Sequence, residues 1–151
     1  MSLESHLTTV RTFHQLIGER IASQPSLLPG DREEANQMAK ELRTISTRFS
    51  EHTENKLVCR AAMAIEELSE WLAAHVQEDL VEATDALADR LFVLLGDGVA
   101  TGLPVEAAFE LVSKSNHTKL ASKLSGSGKG VKGDGYECPK ERIAQLLGIT
   151  R

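Results

Sequence analysis

Residues 61–95 read AAMAIEELSEWLAAHVQEDLVEATDALADRLFVLL, and the fold can be read outward from this stretch. Apolar residues recur at helical spacing on both sides of a short break around Val76–Asp79. On a wheel of about 100° per residue, Val58, Ala61, Ala62, Ile65, Leu68, Leu72 and Val76 fall on one arc, the expected core stripe of a third helix. Glu66, Glu67 and Glu70 share the neighbouring arc. On the next helix Leu80, Val81, Leu87, Ala88, Leu91, Leu94 and Leu95 form the expected core stripe. Glu78, Glu82, Asp85 and Asp89 stack along one line, within about 60° of each other. So short a connection predicts antiparallel neighbours, and therefore two acid rows side by side.

From Ala61 to Asp89 there are eight carboxylates and no Lys or Arg. Solvated helices usually interleave signs, and like charges three or four apart cost about 0.2–0.5 kcal/mol per pair. A cation between the rows would turn that penalty into binding. Only carboxylates are offered, with no His or Cys at ligand spacing, and hard oxygen donors suit Mg²⁺ or Mn²⁺. The plain alternative is a pair of acidic, wet helix faces, which the absence of compensating cations disfavours. A ferritin-like di-iron site needs Glu-x-x-His. His75 lies five residues after Glu70 and eight after Glu67, so that motif is missing.

The rest of the chain agrees with helices. It has 151 residues, enough for one domain, with 41% hydrophobic, 26% charged and only 4% aromatic residues. Few β-branched residues stand beside Ala, Leu and Glu, which argues against a sandwich or barrel. A net charge of −5 disfavours a free-standing nucleic-acid binder. There is no run of eighteen apolar residues and no basic-then-apolar start, so neither a membrane span nor a signal peptide is expected, and the expected location is the cytoplasm. Cys59 and Cys138 lack metal or redox spacing and read as free thiols.

A first helix is expected from about Ser5 to Ala22, before Pro25, Pro29 and Gly30 break the chain. Asp31 is a candidate N-cap for a second helix reaching about Phe49, with Glu33 and Glu34 in its first turn. The third spans about Thr53 to His75, and the fourth about Glu78 to Ala100, ended by the region of Gly96, Gly98 and Gly102. Pro104 suits the first turn of a fifth, reaching about Asn116. Residues 125–130, Ser-Gly-Ser-Gly-Lys-Gly, form a loop or mobile flap, and Pro139 opens a short final helix through Leu147. Charge divides along the chain: residues 1–112 sum to −10 and residues 113–151 to +5. The expected organisation is a helical catalytic domain over 1–120, with the flap and final helix of 121–151 packed on it.

Taken in order, these residues resemble the all-α nucleoside triphosphate pyrophosphohydrolases: the MazG-type enzymes, the dimeric dUTPases and phosphoribosyl-ATP pyrophosphohydrolase. Glu66-Glu67-Leu68-Ser69-Glu70 is similar to the superfamily's Glu-Glu-x-x-Glu helix. Asp85-Ala86-Leu87-Ala88-Asp89, followed by Leu91-Phe92-Val93 and Gly96, is similar to its Glu-x-x-Asp helix. Phe13-His14 with Gly18, the Asn116 to Leu120 segment, and Lys129 through Lys132, Tyr136 and Pro139 extend the resemblance over about residues 10 to 148. The chain departs from the pattern at Ala86, where the family expects Glu. Asp85, one helical turn from Asp89, can take that ligand's place, with Glu82 in reserve.

The resemblance implies an all-α, MazG-like bundle of four to five helices, completed by homodimerisation. It also implies Mg²⁺-dependent hydrolysis of a nucleoside triphosphate to monophosphate and pyrophosphate, with Mn²⁺ as a substitute. Glu67, Glu70, Asp85 and Asp89 would hold metal, and Glu66 would be the base that orients water. Lys119, Lys129 and Lys132 would meet phosphates, and Asn116, His14 and Tyr136 other parts of the substrate. Phe13 reads as core before it reads as a base-stacking group, and Trp71 either walls the site or packs. No nucleic-acid polymer or membrane is an expected partner. A non-catalytic Mg-nucleotide-binding or dimerisation module stays open as an alternative. Within enzymes so does phosphoribosyl-ATP hydrolysis, ranked lower because residues before 53 exceed what that small enzyme usually needs.

Overall fold

The computed structural model describes residues 2–50 and 54–150. The chain is all-α, with six helices and no strand among those residues. They are α1 (Leu3–Ile17), α2 (Arg32–Ser50), α3 (Lys56–Val76), α4 (Leu80–Thr101), α5 (Val105–Asn116) and α6 (Lys140–Leu146).

Local chemistry sets most of the ends. Asp31 Oδ1 accepts from the backbone of Glu33 and Glu34 at 2.8 and 3.0 Å, the expected cap of α2. Asn55 caps α3 and Asp79 caps α4 in the same way. Thr53, the expected start of the third helix, lies outside the described residues. The first helix ends five residues earlier than expected. Gly18 takes φ 77°, the left-handed conformation that a residue with a Cβ avoids, and its backbone N–H closes on the carbonyl of His14. The fourth helix runs through Gly96 and Gly98 and stops only at Gly102, also left-handed at φ 70°.

The chain divides into two compact units. One is Gln24–Leu103, which carries α2, α3 and α4; the other joins Met1–Ser23 to Pro104–Arg151. The flap and α6 therefore belong with α1 and α5. The first unit holds seven basic and fifteen acidic residues, and the second ten basic and seven acidic.

In Gln24–Leu103 the three helices run antiparallel in turn. Arg43 of α2 meets Glu66 and Glu70 of α3 while the earlier Ala39 meets Ser69. Arg60 of α3 pairs with Asp97 and donates to the Val93 carbonyl of α4 at 2.7 Å. Apart from His75, the buried residues are small: Ala39 and Ser46, then Ala62, Ser69 and Ala74, then Ala83, Ala86 and Val93. Small side chains let helix axes come close. This overturns the expected core stripe of α4, because Val81, Leu87, Leu94 and Leu95 are exposed. The helix is broadly apolar outside its acid row, and close approach to α3 selects the narrow alanine line over the bulky one. Gly96 is mid-helix because Arg60 lies across it: a Cβ there would stand 2.7 Å from the guanidinium.

In the other unit α1 and α5 pack side by side through His6 on Phe109 and Phe13 on His117, with ring centroids 4.7 and 5.8 Å apart. The glycine-rich segment folds into a tight loop closed by one antiparallel bridge, Leu124 to Gly130. Buried Ser115 donates to the Glu137 carbonyl at 2.6 Å and ties the tail to α5.

Candidate metal and phosphate site

The turn between α3 and α4 is short, with Glu78 at φ 58° and Asp79 accepting from the backbone of Val81 and Glu82. The helices then pack on Ala74, Ala83 and Ala86. That contact opens a polar cleft of about 280 Å³, floored by Ala73, Ala74 and Ala86 and rimmed by Glu70, Glu82 and Asp85. The departure at residue 86 has a reason here. Ala86 is buried against the floor, where a glutamate would be costly, and the neighbouring Asp85 presents its carboxylate instead.

Glu67 is the most perturbed acid of this region. Burial pushes its pKa above the ordinary value, and the negative charges of Glu70, Asp89, Glu66 and Asp85 push it further in that order. Its Oε2 is buried and has no hydrogen-bond partner. The five carboxylates singled out in the sequence therefore share one electrostatic neighbourhood around Glu67. In this conformation, among the described residues, no three acid, imidazole or thiol groups stand close enough to enclose a metal ion.

One residue was not anticipated. Arg43 donates from Nη1 to Glu70 Oε1 at 2.9 Å and to Glu66 Oε1 at 3.4 Å. The hydrogen bond to Glu70 raises the Arg43 pKa; burial opposes it, and the charges of Glu70, Glu66 and Glu67 add to the rise. Residues 61–89 indeed carry no cation before Arg90; the compensating charge comes from α2. A signal was available, since Arg43 lies between Ala39 and Ser46 at the four-then-three spacing of the face that α2 buries.

Trp71 sits between the His75 ring, at 4.3 Å, and the Arg90 guanidinium, at 4.9 Å. Packing accounts for it, as it does for buried His75, whose Nδ1 meets the Trp71 carbonyl at 2.8 Å.

The residues expected to bind substrate all lie in the unit of Met1–Ser23 and Pro104–Arg151. Lys119 Nζ lies 5.4 Å from the centre of the Phe13 ring. Gly130 closes over both: a Cβ there would stand 3.0 Å from Lys119, 3.1 Å from Ile17 and 3.3 Å from Phe13. Lys132 Nζ stacks on the Tyr136 ring at 4.5 Å. Lys129 is exposed in the loop, its N–H bound by Ser125 Oγ at 3.1 Å. His14 Nδ1 lies 3.1 Å from the Arg20 carbonyl. Asn116 ends α5, and its carbonyl accepts from the Lys119 N–H at 3.1 Å. Phe13 is half-buried under Lys119 and the loop, as its core reading anticipates.

Residues 36–116 match the family model of phosphoribosyl-ATP pyrophosphohydrolase, over half of the chain and across all five carboxylates and Arg43. The chain belongs to the phosphoribosyl-ATP pyrophosphohydrolase family. The match ends at Asn116, so Lys119, Lys129, Lys132 and Tyr136 of this family member lie beyond it. The crystal structure of a putative NTP pyrophosphohydrolase from Exiguobacterium sp. 255-15 is similar over 95% of this chain and 94% of its own. Sequence identity is 27% and the TM-score 0.58. No curated protein matches. Family and neighbour together support pyrophosphohydrolase activity in general.

Proposed function

We propose that this family member hydrolyses a nucleoside triphosphate to the monophosphate and pyrophosphate, using a divalent cation held by Glu67, Glu70, Asp85 and Asp89. The observation that carries the reading is Glu67: a buried, unpartnered carboxylate oxygen with four further acids within electrostatic reach. An all-oxygen, strongly anionic donor set fits Mg²⁺ or Mn²⁺. When bound, the cation would neutralise phosphate charge and lower the pKa of a water.

The chain's own residues divide the remaining work. Glu66, beside the ligands on α3, takes the proton of the attacking water. Lys119, Lys129 and Lys132 meet phosphate oxygens, and Asn116, His14 and Tyr136 contact the rest of the substrate. No single helix among the described residues is long and apolar enough to cross a membrane. The reading includes a homodimer. Val81, Phe92 and Val99 are 77%, 77% and 87% exposed, an apolar stripe on α4 that a second copy would cover.

The test is pyrophosphate release from canonical and modified triphosphates and from phosphoribosyl-ATP, each with Mg²⁺ and with Mn²⁺. Release from any triphosphate supports the proposal. The family match favours phosphoribosyl-ATP as a second reading of the substrate. Hydrolysis of that compound alone would select it. Saturable Mn²⁺ binding without any release would leave a nucleotide-binding module.

A further inference from the structure

Arg43 stands on the acidic cleft from outside it. A single nitrogen, Nη1, is divided between Glu70 at 2.9 Å and Glu66 at 3.4 Å, where a locking arginine would fork both nitrogens onto one carboxylate. All three side chains are about half exposed, at 52% for Arg43, 45% for Glu66 and 47% for Glu70. Exposed, divided pairs of this kind are weak and exchangeable. The backbone beneath is held independently: one turn earlier, the carbonyl of Ala39 accepts a buried hydrogen bond from Ser69 at 3.1 Å. The guanidinium can therefore leave while α2 stays seated on α3. Glu70 is also one of the acids that crowd Glu67, and the cluster does not close into a chelating group in this conformation.

We propose that Arg43 is a positioning residue that acts as the cleft's resident counter-cation: it holds Glu66 and Glu70 apart from the other acids, and a divalent ion must take Glu70 from it. This rests on the metal reading above. Because the ion binds only the fraction of molecules in which Glu70 is released, Arg43 weakens its affinity in proportion. In exchange it relieves repulsion among the acids of the metal-free chain. A merely structural arginine would act differently, since its loss would lower stability and ion affinity together.

The experiment is Mn²⁺ titration of the full chain by calorimetry, with thermal unfolding in EDTA, for wild type, Arg43→Ala and Arg43→Lys. Arg43→Ala is expected to bind Mn²⁺ about three- to tenfold more tightly, as loss of two exposed ion pairs allows. It is also expected to melt about 1–3 °C lower in EDTA. Arg43→Lys, which keeps a cation, should stay near wild type. Should the alanine variant not fold, Arg43→Gln keeps length and polarity without charge and carries the same expectation. Equal or weaker Mn²⁺ binding by a folded neutral variant, with wild type binding normally, overturns the role of Arg43 alone. Absence of saturable Mn²⁺ binding in every variant, wild type included, overturns the metal reading and this role together.

Discussion

Replacing Glu67 by glutamine removes one charge from the most crowded point of the acid cluster and leaves the side-chain shape nearly unchanged. Within α3, Glu67 and Glu70 are three apart, a like-charge pair costing about 0.2–0.5 kcal/mol. Asp85 and Asp89 act on Glu67 across from α4, and Arg43 offsets part of the total. The net relief in the metal-free chain is about 0.5–1 kcal/mol, or about 1–4 °C in melting temperature for a chain of this size. The pH dependence has a definite sign. The Glu67 pKa is raised on folding, so its ionised form destabilises the native state. That penalty is complete above the raised pKa and vanishes as pH falls below the unfolded value, ordinarily 4.5. Thermal unfolding in EDTA should therefore show Glu67→Gln more stable than wild type near neutral pH, the gap closing in acid. With saturating Mn²⁺ the order should reverse, because the variant has lost a ligand. A variant less stable than wild type in EDTA at neutral pH, or a gap indifferent to pH, would refute the reasoning.

Asp89→Asn should cut pyrophosphate release at least about hundredfold while the helical circular-dichroism signal is kept, as expected when a metal ligand rather than a core residue is lost. Ser69→Ala removes the buried hydrogen bond to the Ala39 carbonyl and should cost about 1 kcal/mol, read as a melting temperature about 2–4 °C lower. Phe92→Glu charges a side chain that is 77% exposed and should leave the fold intact. Sedimentation should show the dimer dissociating; an unchanged dimer would place the interface elsewhere.

Most of the helical order was legible because it is local. Asp31 as a cap, Pro104 at the head of α5 and the break at Val76–Asp79 each act on residues within one turn. Gly18 was the exception. The apolar pattern continues to Ile21, and only the φ of 77° at Gly18 shows that the helix stops. The acid rows were legible too, since residues spaced three and four apart on a helix must share a face.

Periodicity could not choose which arc of α4 meets α3. A helix so broadly apolar outside its acid row offers several, and hydrophobicity alone favours the leucines. Contact distance decided for Ala83, Ala86 and Val93, and turned Val81 and Phe92 outward. Nor could it supply Arg43, which reaches Glu66 across twenty-three residues of chain. Composition and spacing were enough to determine an all-α chain with two acid-bearing helices joined by a tight turn, because helix caps and helical periods are properties of neighbours in sequence. How closely those helices approach, and which distant cation answers the acids, depends on side-chain volume at contacts between segments far apart in the chain, and only the tertiary structure settles that.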